Sequence, residues 1–203
     1  MQRLEIPFVV ALVLAAAHPI LGQDCTLEPD NRVENCGFDA AIAPWTDLFG
    51  MATHDPSEGF ASFGSASLTG GSASGDRHEI HFRQCITPVA PEVTYRFGGA
   101  LRGGTTLPDD CRLRASTRSA TDCSGGGTFA SSTMVPTSAA WVSFVEDELT
   151  TTSTTVAVEL SVICIRDAGN FDVHFDDAYF GEVPLFFDGF ESGNTSAWSS
   201  SAP

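Results

Sequence analysis

From Asp24 onward, apolar residues recur at alternate positions in short runs and never at the spacing of an amphipathic helix. The clearest run, Thr155 to Ile165, sets Val156, Val158, Leu160, Val162 and Cys164 against Thr155, Ala157, Glu159, Ser161, Ile163 and Ile165. His78 to Ile86 places His78, Ile80, Phe82, Gln84 and Ile86 on one face and Glu79, His81, Arg83 and Cys85 on the other. Cys111 to Arg118 alternates Leu113 and Ala115 with arginines, and Glu92 to Leu101 aligns Val93, Tyr95 and Phe97. Arg32–Asp39, Phe60–Thr69, Gly127–Met134, Ala139–Glu146 and Phe171–Phe180 complete nine predicted strands, with a turn at Gly70–Gly75. Strands with one apolar face, at this spacing, predict an all-β fold with two packed sheets, a β-sandwich.

The two ends of the chain differ from this pattern. Arg3 precedes an apolar run, Pro7 to Ala17, that is too short to span a bilayer at about 20 residues. Small residues follow near Gly22, so residues 1–23 read as a signal peptide. Cys25 is not preceded by a small residue, which argues against lipidation. Residues 24–184 then form one β-sandwich domain. Residues 185–203, with paired glycine turns and a serine cluster, read as an extended tail in which Phe187, Phe190 and Trp198 are isolated anchors.

Charge narrows the partners. The formal net charge is -16 and every basic residue apart from histidine is arginine. Such a surface repels phosphate backbones, so nucleic acid is excluded as a partner, and no later segment suits membrane insertion. An acidic monomer outside the cell, with carboxylates able to attract a cation, is expected.

Six cysteines in an exported chain predict three disulfides, but their connectivity is not dictated by sequence. Short loops favour Cys25–Cys36 and Cys111–Cys123, which leaves Cys85–Cys164 to join two distant strands. No C-x-x-C pair supports a zinc site. His78-Glu79-Ile80-His81 lacks the helical H-E-x-x-H spacing, no G-x-S-x-G elbow is present, and no glycine-rich loop precedes a helix. The chain reads as a non-enzyme.

Val33-Glu34-Asn35-Cys36-Gly37-Phe38-Asp39 followed by Pro44-Trp45-Thr46, and Phe175-Asp176-Asp177-Ala178-Tyr179-Phe180 near the other end, resemble the opening and closing motifs of carbohydrate-binding-module families 4 and 9. These families and their galactose-binding-like relatives are jelly rolls, so the resemblance implies a two-sheet jelly-roll β-sandwich over roughly Cys25 to Glu182. It also implies a structural calcium shared by Asp39 and one of Asp176 and Asp177. On a regular strand those two point to opposite faces, and Asp177 is the expected ligand. Cys36 and Ala178 depart from the family pattern. The tail resembles a short ending carried by diverse secreted bacterial proteins.

The implied ligand is a polysaccharide or glycoconjugate. Sugar binding needs aromatic faces beside groups that reach hydroxyls, for which Trp45, Tyr95, Trp141 and Tyr179 are candidates with Arg96 as a polar partner. The alternative is an extracellular structural or adhesion domain with a protein partner or no glycan ligand.

Overall fold

The computed structural model describes residues 30–133, 139–143 and 147–183. The predicted signal peptide, the tail and Cys25 lie outside the described residues. Within them run β1 (Thr46–Leu48), β2 (Met51–Asp55), β3 (Ser65–Thr69), β4 (Gly71–Ser74), β5 (Arg77–Ile86), β6 (Thr94–Gly103), β7 (Asp110–Arg118), β8 (Phe129–Thr133), β9 (Val142–Ser143), β10 (Asp147–Thr150), β11 (Ala157–Arg166) and β12 (Asp172–Glu182).

The strands form two sheets. One is ordered β1-β5-β11-β7-β8, with β4 also on β5; the other is ordered β10-β6-β12-β3-β2, with β9 on β6. All pairings are antiparallel. The alternation read from sequence sets which face meets the core. Ile80, Phe82 and Ile86 of β5, Leu113 and Ala115 of β7, and Val158, Leu160, Val162 and Cys164 of β11 are buried together with Tyr95, Phe97 and Leu101 of β6 and Val173, Phe175 and Phe180 of β12. Each such aliphatic or aromatic side chain contributes about 1.5–3 kcal/mol by leaving water. The result is the expected two-sheet sandwich, in which residues between the inward positions necessarily line the two outer faces.

Several local expectations fail for identifiable reasons. Arg32–Asp39 forms turns, with Asn35 (φ 51°) and Phe38 (φ 49°) in left-handed conformations that interrupt a regular ladder. Phe38 still plugs the core, against Trp45, Phe82 and Phe175. The Gly70–Gly75 turn is instead mostly β4, hydrogen-bonded to the edge of β5. Asp147–Thr150, rich in acids, is a strand because Leu149 reaches the core beside Tyr95.

The disulfides also differ from expectation. Cys85 faces outward on β5 whereas Cys164 is in the core on β11, and the register sets Cys85 opposite Glu159 and Cys164 opposite Cys111. Cys85–Cys164 is therefore excluded by side-chain parity. Cys111 bonds Cys164 directly across the β7–β11 ladder, with a Cα separation of 4.1 Å. Cys85 bonds Cys123, which rules out Cys111–Cys123. Cys36 is disulfide-bonded, and its expected partner Cys25 lies outside the described residues.

Candidate functional site

The outer face of the β1-β5-β11-β7-β8 sheet is polar and ordered by register. One transverse row reads Thr46, Arg83, Ser161, Arg114, Ser131; the next reads Cys85, Glu159, Ser116, Phe129. Strands lie about 4.8 Å apart, so five of them make a row of about 19 Å. Phe129 is 62% exposed at its end, with the Arg114 guanidinium 5.3 Å from the ring centroid.

Glu159 is the electrostatic centre of this face. Its side chain is 3% exposed, and it accepts hydrogen bonds from Arg83 Nη1 (2.8 Å) and Arg118 Nη2 (2.7 Å). Burial pushes its carboxyl up, but the Arg118 hydrogen bond and the charges of Arg118, Arg83 and His81 outweigh that and hold it below its usual value. His81 Nε2 lies 4.0 Å from the same carboxylate. Burial drives the His81 pKa down, Glu159 opposes this, and Arg114, Arg83 and Arg118 add to it, so the ring is neutral near pH 7. His81 Nε2, Arg114 Nε and Arg118 Nε are buried with no hydrogen-bond partner.

Sequence folding around Cys85 shapes one end. The loop between β7 and β8 is tied by Cys123 to outward-facing Cys85, and it stands against Arg83 and Glu159. Its Asp122 and Ser124 line a hollow of about 370 Å³ together with Pro44, Thr46, Arg83 and Glu159.

The opposite outer face is occupied differently. Trp141, half-buried, sits edge-on to Phe60 and His174 at 6.1 and 6.4 Å, with the Arg102 guanidinium 5.6 Å from its ring. Arg102 also donates to Glu58 (2.8 Å). These contacts use Trp141 to pack the loop at Glu58–Phe60 onto β6 and β12. His174 Nδ1 meets Ser65 Oγ at 3.2 Å and Asp55 Oδ2 at 3.7 Å. Both contacts fall on one ring nitrogen, so the three side chains cannot form a Ser-His-Asp relay, which needs the acid and the hydroxyl on opposite nitrogens.

The other predicted aromatic residues are not displayed together. Trp45 is in the core, stacked on Phe82 at 5.0 Å. Tyr95 is buried on Phe180 at 4.8 Å, and its hydroxyl accepts from the Ala90 N–H. Neither presents a face to a ligand. Tyr179 is half-buried and donates its hydroxyl to Asp30 (3.1 Å), while Arg96 is half-buried on β6 opposite Glu148 and Gly181.

The acidic trio is rearranged relative to expectation. A bulge follows Asp176 in β12, with Asp177 at φ 53°, and the Asp176 carboxylate is 1% exposed. It accepts from the N–H groups of Phe60 (2.6 Å) and Asp177 (2.7 Å). Burial, with Asp177 and Asp39 nearby, raises its pKa to about 7 despite those two donors. Asp39 is exposed and accepts from Ser62. Gly64 permits this approach: at φ +123°, a Cβ there would lie 2.5 Å from the Phe38 carbonyl oxygen. Among the described residues, no three His, Cys, Asp or Glu side chains converge as a metal cluster. A cation here would need Asp176 together with backbone carbonyls, which calcium accepts.

Arg114, Arg118, Glu159 and Phe129 were not singled out from sequence. Their signal was present in the arginines at alternate positions of β7 and in the acid on the polar side of β11.

No family model matches the chain, and no curated protein matches it. Solved structures do. A family 61 carbohydrate-binding module in complex with β-1,4-galactotriose aligns over 75% of this chain and 99% of its own, at 18% identity and a TM-score of 0.54. A family 16 carbohydrate-binding module covers 74% and 99%, at 17% identity and a TM-score of 0.55. A family 22 xylan-binding domain from Paenibacillus barcinonensis covers 72% and 91%, at 12% identity and a TM-score of 0.56. The fold is that of the carbohydrate-binding-module jelly rolls.

Proposed function

We propose that this protein is a secreted, non-catalytic module that binds a polysaccharide or glycoconjugate across the outer face of the sheet centred on β11. The observation that carries this reading is the row Thr46, Arg83, Ser161, Arg114, Ser131 beside exposed Phe129. An aromatic face takes the apolar side of a pyranose, and guanidinium donors held in fixed register reach its hydroxyls, while Ser161, fully buried, donates to the Arg114 carbonyl. The Arg83–Glu159–Arg118 contacts hold Arg83 of the row, and Arg118 beside it, in place before ligand arrives, which lowers the ordering cost of binding. Similarity in fold to modules solved with galactotriose or named for xylan binding supports the ligand class.

The same reading includes a structural calcium at Asp176, with Asp39 and Asp177 as neighbours. Its support is a buried carboxylate held by two N–H donors and faced by two further acids. When bound, the ion would supply the missing counter-charge. The disulfides fit an oxidising compartment.

The test is affinity electrophoresis of the oxidised protein through gels containing a panel of polysaccharides. Retardation by at least one polymer is expected, lost on Phe129→Ala and kept on Trp141→Ala. A folded protein that no polymer retards would overturn the reading in favour of a structural or adhesion domain.

A further inference from the structure

The face assigned to glycan has a charge opposite to that of the chain. Five of the ten arginines, Arg77, Arg83, Arg112, Arg114 and Arg118, are at outward positions of β5 and β7, on a protein of net charge -16. The acids that face them are Glu79, Asp110 and Glu159, with Asp122 at the hollow. Arg77 pairs with Glu79, Arg112 with Asp110, and Arg83 and Arg118 share Glu159. Arg114, in the middle of the sheet, has no carboxylate partner among the described residues. It lies in register between Ser161 and Ser131 and over Phe129, and its Nε is buried without a hydrogen-bond acceptor.

We propose that the ligand of this face is an anionic glycan, one carrying carboxylate or sulfate groups, with Arg114 receiving the anion and Phe129 the adjoining sugar ring. The inference rests on the binding reading above and narrows it. A guanidinium offers a planar fork of donors that matches carboxylate and sulfate oxygens, and neutral neighbours such as Ser161, Ser131 and His81 leave its charge uncompensated. One shared acid cannot neutralise both Arg83 and Arg118, so the face carries a further positive charge. Asp122 is at the Cys85–Cys123 end, where the hollow is lined by Glu159 and Arg83, and so repels an anion away from the hollow and toward Arg114. The remainder of the acidic surface repels polyanions, which confines such a ligand to this face.

The experiment measures affinity of the full oxidised chain for polygalacturonate and alginate, for chondroitin sulfate, and for the neutral polymers xylan and galactan. Wild type is compared with Arg114→Gln, Arg114→Lys and Arg32→Gln; the last removes a charge remote from this face. The expected result is preference for one anionic class. Arg114→Gln should weaken that binding about tenfold or more, as loss of a charge-assisted hydrogen bond requires. Arg114→Lys should keep part of it, and Arg32→Gln should stay near wild type. Binding should also weaken between about 0.1 and 1 M salt as the screening length shrinks. Carboxylated and sulfated polymers in separate arms tell which anion is read. Binding to xylan or galactan that is indifferent to Arg114→Gln would overturn the inference while leaving the binding module intact. Equal loss in Arg114→Gln and Arg32→Gln would show general attraction and also overturn it. Binding to no polymer at all would remove both readings.

Discussion

Glu159 and Asp176 are two buried acids in opposite electrostatic situations. Glu159 has guanidinium partners and is held below its ordinary value of 4.5. Its stabilisation is therefore complete above about pH 4.5 and is lost as pH falls through its depressed folded value. Glu159→Gln should cost about 2–3 kcal/mol at pH 7, less than a fully buried pair because the Arg83 side chain is one-third exposed. Urea titrations at pH 7 and pH 3 check this, since the gap between variant and wild type should shrink at the lower pH. Asp176 has the opposite sign. With a folded pKa of about 7 against an ordinary 3.8, it penalises the ion-free fold increasingly as pH rises across that interval. Phe60 donates to Oδ2 and Asp177 to Oδ1, so Asp176→Asn keeps an acceptor for only one of them and removes the buried charge. In chelator its melting temperature should gain on that of the wild type as pH rises from about 5 to 8, and any rise on adding calcium should be abolished. A variant that still gains from calcium would place the ion elsewhere.

At the level of elements, alternation made β5, β7 and β11 legible, since one-residue parity decides which side chains meet the core. The same parity separates Cys85 from Cys164, yet pairing by loop length alone obscured it. Turns were less legible. The left-handed backbone at Asn35 and Phe38 is imposed by packing Phe38 into the sandwich, a tertiary demand invisible to local pattern. The two described disulfides have separable roles. Replacing Cys111 and Cys164 by alanine should lower stability by about 2–4 kcal/mol and leave glycan affinity unchanged. Replacing Cys85 and Cys123 by serine frees the wall of the hollow, so affinity should fall more than stability does. Parallel denaturation and binding curves on the two double variants distinguish these outcomes.

On the scale of the whole molecule, the sandwich separates its tasks between sheets. One outer face is packed by Trp141, Phe60 and their partners; the other carries the arginine row, enclosed at Ser161 and exposed at Phe129. The motifs at the chain ends announced the jelly roll, because they close the fold where the first and last segments meet near Asp39 and Asp176. They said little about the face proposed for ligand, whose residues come from strands β5, β7, β8 and β11 and meet only through sheet register. Trp45 and Tyr95 illustrate the limit, because an aromatic residue reads the same in sequence whether it plugs a core or faces solvent. The most direct test is a backbone amide shift map of the oxidised protein titrated with an oligosaccharide from any polymer that retards it. The account predicts shifts clustered at Arg83, Arg114, Phe129, Glu159 and Ser161. Shifts centred on Arg102, Trp141 and His174 would place the ligand on the other sheet and contradict it.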